Sequence, residues 1–267
     1  VATFSVVSCG FAPARLAAHP AHQQVRELPD PTAPDFLQLG RALVEQLPKD
    51  QPILLVHGGR REQNRKVGVL RALSRGRSVV GVSQRVPPTG LAARATWLST
   101  LADRRVPASL AIGHLERHGS VLPTVAAISS AAGLDVPGVK LRHHAMSWIP
   151  TVCFGVAIAG EVKIGNGNPG VTFPDEPADR VVDGTPSFEN KVNFHSPQPG
   201  ETVELPNVAQ GAKWWGRARY YEQTFVPRDI LNTLRLISQE RFGRCPQCGG
   251  VASGSCPFCS AREEVAV

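Results

Sequence analysis

Between residues 35 and 132 the hydrophobic pattern switches period repeatedly, and that switching restricts the folds open to this chain more than any other feature. "DFLQLGRALVEQL" sets Phe36, Leu39, Leu43 and Leu47 on one helical face, with Asp35 as N-cap. "PILLVHGG" is a continuous apolar run ending in glycines, the pattern of a strand buried on both faces. "REQNRKVGVLRALSRG" turns helical again, with Val67, Leu70 and Leu73 inward and Gly76 as its stop. "RSVVGVSQ" predicts a second strand. "TGLAARATWLSTLADR" predicts a helix capped by Thr89, with Leu91, Ala95, Leu98 and Ala102 in one stripe. "PASLAIGH" reads as a third strand and "GSVLPTVAAISSAAG" as a further helix with Pro123 near its start. The opening "TFSVVSCGF" adds a strand to the same sheet, and residues 12–34, rich in proline and histidine, read as loop. Strands alternating with helices of this length argue for parallel βαβ units.

After residue 146 the character changes. "SWIPTVCFGVAIAGEVKIG" is strand-rich and broken by glycine, "NGNPG" is a turn cluster, and residues 174–190 read as an acidic surface loop. "KVNFH", "ETVELP" and "KWWGRARYYEQTFV" predict further strands, in an antiparallel half. "RDILNTLRLISQERF" predicts a last amphipathic helix carrying Ile230, Leu234 and Ile237 on one side. The expected architecture is an α/β part of parallel βαβ units over 1–145, a β-rich part over 146–228, and a C-terminal helix with a cysteine-rich tail over 229–267.

Composition narrows the function classes less than it narrows the fold. No run approaches the eighteen or so apolar residues of a membrane span. The start carries an apolar patch without a basic leader, so it is expected to be a buried strand rather than a signal peptide. Net charge is +7 and only six of the 29 basic residues are lysine. Arginine is the better fork for phosphate or carboxylate. A solvated basic surface explains the same excess. Six cysteines in a chain of 267 residues make no disulfide scaffold, which points to a reducing, cytoplasmic interior. Cys9 and Cys153 lie in apolar strings and read as buried thiols.

The other four cysteines crowd into "RCPQCGGVASGSCPFC": Cys245, Cys248, Cys256 and Cys259, two C-x2-C pairs seven residues apart. Each pair in a tight turn can aim two sulfurs at one centre about 2.3 Å away, and four thiolates close a tetrahedron without an open position. "CPQCGG" followed by "CPFC" resembles the short zinc ribbons built from paired zinc knuckles. The resemblance covers about the last twenty residues and departs at Ser260, where a glycine is usual. It implies a structural Zn2+ that staples a terminus with too little apolar area to fold alone, supplying on the order of 10 kcal/mol.

Three strand ends of the predicted parallel sheet converge on one edge, where ligands of open α/β sheets settle. His57, Gly58 and Gly59 mark the first strand-to-helix turn, where free amides and a helix N-terminus favour an anion. Arg60 and Arg61 would clamp it, with Gln84 and Arg85 on one side and His114 on the other. The same glycines also serve an ordinary sharp turn. Neither a phosphate loop nor a dinucleotide fingerprint is present, and no nucleophile elbow appears, so no catalytic residue is assigned.

"KWWGRARYY" offers a second surface. On an exposed strand, Lys213, Trp214, Trp215, Arg217, Arg219 and Tyr220 would alternate cations with stacking rings for a nucleic acid. Placed inward, the large aromatics are core. Three functions follow as expectations. The first is a zinc-containing protein that binds nucleic acid or a phosphorylated ligand on its basic surface. The second is a structural or assembly component of a phage or virus particle, with protein partners. The third is an enzyme with a phosphate site at the sheet edge. No membrane partner is expected.

Overall fold

The computed structural model describes residues 3–117, 122–132, 134, 139–149, 153–159, 161–170, 176–191, 199–206, 208–239, 243–245, 247, 251–252, 256 and 258. Its first half is a parallel sheet of β1 (Ser5–Cys9), β2 (Arg26–Leu28), β3 (Ile53–His57) and β4 (Val79–Ser83) in the order β2-β1-β3-β4. All three pairings are parallel. β3 is central and all five of its residues are buried, as its unbroken apolar run requires.

Helices α1 (Phe36–Gln46) and α2 (Arg61–Leu73) cover one face of this sheet. α1 buries Phe36, Gly40 and Val44, while Leu39 of the expected stripe is 43% exposed. The stripe shifts because the helices meet at Gly40, where even a Cβ would come within 2.7 Å of Leu70 Cδ2. Asp35 makes no side-chain cap. Val67 and Leu70 point inward, whereas Leu73 is half exposed.

Helix α3 (Pro88–Asp103) lies on the other face, and every residue from Pro88 to Ala102 is buried. An element buried all round is an internal helix rather than a surface one. α3 packs against β1 and β3 on one side and against strands of a second sheet on the other. Its hydroxyl side chains find partners accordingly, while Arg94 Nε and Nη1 and Trp97 Nε1 have none among the described residues. Thr96 donates to the Ala14 carbonyl at 2.8 Å and Ser99 to that of Ala21 at 2.6 Å, pinning the loop after β1 across the helix. Thr89 does not cap α3. Pro88 takes the first turn, and the Thr89 hydroxyl instead meets that of Thr224 at 2.8 Å.

Two expected elements exchange type. Residues 108–117 form α4 (Ala108–Arg117), not a third parallel strand. Ala108, Ala111, Ile112 and Leu115 are among its buried residues, at helical spacing. The alanine-rich stretch that follows is β5 (Thr124–Ile128), buried throughout, not a helix. α5 (Leu141–Met146), β6 (Phe154–Ala159), β7 (Glu161–Asn166), β8 (Ala178–Gly184), β9 (Pro199–Glu204), α6 (Val208–Trp215), β10 (Tyr220–Pro227), α7 (Ile230–Gln239), β11 (Gly243–Arg244) and β12 (Val251–Ala252) complete the chain.

The second sheet runs β7-β6-β5-β10-β8-β9, antiparallel except for the β8–β9 pair. The protein is thus a mixed α/β fold with one parallel and one mixed sheet, and α3 sits between them. "ETVELP" does supply a strand, β9, whereas most of "KVNFH" lies outside the described residues. Among the described residues no helix is long and apolar enough to cross a membrane.

A candidate amphipathic ligand cleft

In the strand order β2-β1-β3-β4, the chain leaves β1 toward one edge of the sheet and returns to build β3 and β4 on the other. The connections after β1 and β3 therefore diverge, and a crevice opens beyond their carboxyl ends. It is present. Cys9 ends β1 and Gly10 and Phe11 follow it, Asp30 and Thr32 follow β2, and Gly58, Arg60 and Gln63 follow β3. Pro88 and Leu91 of α3, together with Gln210, Lys213 and Trp214 of α6, close a cleft of about 200 Å3.

The turn chemistry explains its shape. Gly10 has φ +87°, and a Cβ there would fall 2.8 Å from Asp30 Cα, so only glycine lets the loops after β1 and β2 approach. Asp30 holds its own loop, accepting from the Thr32 amide at 2.8 Å and the Thr32 hydroxyl at 2.7 Å. Its second oxygen accepts from Gln63 Nε2 at 3.1 Å, and Gln63 Oε1 accepts from the Arg60 amide at 3.1 Å. Gln63 thereby ties β2's loop to the first turn of α2. Gln210 Nε2 donates to the Gly10 carbonyl, which docks α6 over the cleft.

The lining is mixed in a particular way. Phe11, Pro88, Leu91 and Trp214 form an apolar wall, and Arg60 and Lys213 outnumber Asp30. Cys9 is no nucleophile: burial, then the Asp30 charge, pushes its thiol far above the usual range. Burial holds His57 down at about 4, against the opposing pull of Asp30. Its imidazole is neutral, with Nδ1 facing the Gly59 amide at 3.3 Å. His57 therefore offers no cation to a ligand.

Of the residues expected at this edge, Gly58 and Arg60 line the cleft, and His57 is buried behind them. Gly59 takes a φ of +71° beside Ser83, and Arg61 is exposed at the start of α2. Gln84 stands beyond β4, its amide donating to the His57 carbonyl at 3.0 Å, and Arg85 is exposed next to it. His114 is not at the edge, since its segment is α4 and its side chain is fully buried. Sequence reasoning missed Phe11, Asp30, Gln63 and Leu91. The Gly10 that follows an apolar run was the available signal for the first of these.

"KWWGRARYY" is not one strand. Lys213, Trp214 and Trp215 end α6, and Tyr220 begins β10. Trp215 and Tyr220 are buried, Arg219 lies over the Phe188 ring at 5.3 Å, and Arg217 donates to the Ala132 carbonyl and, at 3.3 Å, to the Ser130 hydroxyl. The alternating platform for bases does not form, because a helix, a turn and a central strand split the six side chains among different faces. In the tail, Cys245 and Cys256 are buried together beside Phe258, next to the antiparallel β11–β12 pair. Cys248 and Cys259 lie outside the described residues. Among the described residues no group of three or more His, Cys, Asp or Glu is placed to hold a metal.

No protein-family model matches the chain, and no curated protein matches its sequence. Solved structures do match. A DegV family protein from Corynebacterium glutamicum aligns over 84% of this chain and 97% of its own length, with a TM-score of 0.55 and 12% identity. The fold is DegV-like. A fatty acid binding DegV family protein from Streptococcus agalactiae aligns over 85% of this chain and 99% of its own (TM-score 0.52, 9% identity). DegV from Bacillus subtilis, described as a fatty acid binding protein, aligns over 85% and 100% (TM-score 0.51, 10% identity). These neighbours overturn the expectation of a nucleic-acid or phosphate binder, that of a phage or virus component, and that of a phosphate-site enzyme. The Streptococcus agalactiae and Bacillus subtilis proteins are named for a fatty acid, not for a polyanion or a particle.

Proposed function

We propose that the chain binds a long-chain fatty acid in the cleft at the ends of β1 and β3. The observation that carries this is the pairing of an apolar wall (Phe11, Pro88, Leu91, Trp214) with a net positive polar set (Arg60 and Lys213 against Asp30). A bare phosphate needs no such wall, and an uncharged lipid needs no such cations. The titles of the DegV-like neighbours support the same ligand class. At about 200 Å3 the cleft is smaller than the roughly 300–1,000 Å3 of full ligand pockets, so the acyl chain must widen it on entry.

The test is calorimetric titration of delipidated protein with stearate and with octadecanol, which has the same chain without the carboxylate. Stearate is expected to saturate with a Kd of about 1 μM or tighter, and the alcohol to bind at least about tenfold more weakly. Equal binding of the two, or no saturable binding of stearate, overturns the reading.

We further propose, independently of the ligand, that the tail thiols hold a structural Zn2+. The burial of Cys245 beside Cys256 supports it. Elemental analysis is expected to give about one zinc per chain, and chelation to expose the segment after α7 to protease while the two sheets stay folded. Metal-free protein with an equally protected tail would end that proposal.

A further inference from the structure

Helix α6 presents two faces to its surroundings. Gln210, Lys213 and Trp214 line the cleft, at the three- and four-residue spacings that share one side of a helix. Gly211 and Trp215, also four apart, turn toward the mixed sheet and are buried. A Cβ at Gly211 would collide with the Tyr220 hydroxyl and Asp183 Oδ2, so the helix backbone rests directly on that hydrogen-bonded pair. Trp215 donates its indole N–H to Glu222 Oε2. The part of the cleft wall that α6 supplies is therefore seated on two buried carboxyl groups.

Those two groups stand directly opposite each other, Glu222 on β10 and Asp183 on β8. Cross-strand partners keep their Cβ atoms about 4.5–5.5 Å apart, which leaves opposed carboxyls within reach of one another. Both Glu222 oxygens already accept, Oε1 from the Thr89 amide at 3.0 Å and Oε2 from Trp215. Asp183 Oδ2 accepts from Tyr220 at 2.8 Å, and Asp183 Oδ1 has no partner among the described residues. Opposed carboxyls in so dry a place cannot both ionise cheaply, and one proton shared between them removes the repulsion. Burial, then the Asp183 charge, raises the Glu222 carboxyl to about 8, and burial raises that of Asp183 as well. Tyr220 of β10 is the other titratable group on the pair, and it keeps its proton. The remaining groups that bear on Glu222 are Thr89 of α3 and Trp215 of α6, neither of them a cation.

We propose that Glu222 and Asp183 are positioning residues for the ligand: the proton they share keeps α6 seated against the cleft, and its loss lifts α6 and weakens fatty-acid binding. The inference rests on the fatty-acid reading and adds how binding is regulated. A second anion in this place must be hydrated, and α6 is the cover that gives way to water. It leaves Lys213 exposed and Trp214 half-buried, whereas α3, on the other side of Glu222, is buried all round. The seated helix holds the proton more tightly than the lifted one, where hydration returns Glu222 toward its ordinary 4.5. Seating is whole below that value, declines by up to about tenfold per pH unit above it, and levels off beyond about 8.

The experiment titrates delipidated full-length chain with stearate across this range, as wild type, Glu222→Gln and Asp183→Asn. The ligand's own ionisation is common to all three, so ratios of affinity isolate the pair. From about pH 6.5 to about pH 9.5, wild-type affinity relative to that of Glu222→Gln is expected to fall about tenfold. Asp183→Asn lacks the like charge and is expected to fall only about threefold on the same scale. In ligand-free protein the tryptophan emission is expected to move to the red over this range in the wild type and not in Glu222→Gln, as Trp214 and Trp215 leave their seat. A Glu222 with a merely structural role would change affinity by one factor at every pH. A constant ratio therefore overturns the proposal, whatever the emission does, and leaves the fatty-acid reading standing. Should Glu222→Gln fail to fold, the wild type and Asp183→Asn decide, and an equal pH dependence in the two overturns the proposal. A wild type that binds no stearate at any pH overturns the fatty-acid reading, and the emission, read without ligand, then decides whether the pair seats α6.

Discussion

The two sheets that enclose α3 meet it with different chemistry. The parallel sheet presents Val6, Leu54, Val56, Val80 and Val82, a largely apolar layer. The mixed sheet places Glu222 directly opposite Asp183, with Thr224 opposite Thr124 on the neighbouring strand. There Glu222 Oε1 accepts from the Thr89 amide at 3.0 Å and Oε2 from Trp215 Nε1–H. Thr89, Thr224 and Thr124 form a hydroxyl chain at 2.8 and 2.7 Å, and Tyr220 donates to Asp183 at 2.8 Å. One side of the helix is held by area removed from water, the other by a polar network in which each member depends on its partners. The first tolerates any chemistry that is apolar and of the right size. The second fixes the register of β10 against α3 and α6, and so the position of the α6 residues that close the cleft.

The largest expected effect follows from the apolar side. Leu54 is fully buried in the central strand, between β1 and β4. Leu54→Ala is expected to cost about 3–4 kcal/mol, through lost transfer energy and the cavity left behind. Urea unfolding measures it, and the midpoint should fall with little change in slope. A cost below about 1 kcal/mol would mean the layer collapses to refill the space, and the contrast between the two sheets would be weaker than drawn.

What was legible in the sequence follows the same division. α1, β3, α2, β4 and α3 could be read because each apolar run had the length and spacing of its type, although the caps expected at Asp35 and Thr89 do not form. β1 could be read as well, but the three residues of β2 were hidden in a loop rich in proline and histidine. α4 and β5 were read the wrong way round. "PASLAIGH" is short enough to pass for a buried strand, and the alanines of β5 favour helix until a sheet claims them. "KWWGRARYY" failed because alternation of aromatics with arginines was taken as period 2, while Gly216 at φ +61° breaks the segment between a helix and a strand. One side of the cleft was visible as Gly58 and Arg60 after an apolar strand. The rest comes from β1, β2, α3 and α6, up to two hundred residues away, and no local pattern announces such a meeting. Glu222 was invisible for a different reason: a glutamate in a strand reads as solvated until its burial is known.

A smaller but more discriminating effect concerns Glu222. Complete burial drives its carboxyl up to about 8, against the Thr89 and Trp215 hydrogen bonds that favour the anion, and with Asp183 pushing the same way as burial. A folded-state pKa above the unfolded one means that the native protein holds its proton longer. The stabilising effect is whole below the ordinary value of 4.5 and is lost as pH rises through about 8. Glu222→Gln copies the protonated form at all pH values. The wild type should therefore lose stability relative to Glu222→Gln between pH 5 and pH 9, by about 2 kcal/mol once local relaxation is allowed for. His57 titrates in the other sense. Its pKa near 4 against an ordinary value of 6.5 removes stability as pH falls between them. Both proteins carry it, so the difference between their melting curves isolates Glu222. If the wild type instead gains on the variant as pH rises, the Glu222 anion is welcome beside Asp183, and the mixed sheet holds α3 by charge rather than by a neutral hydrogen-bonded layer.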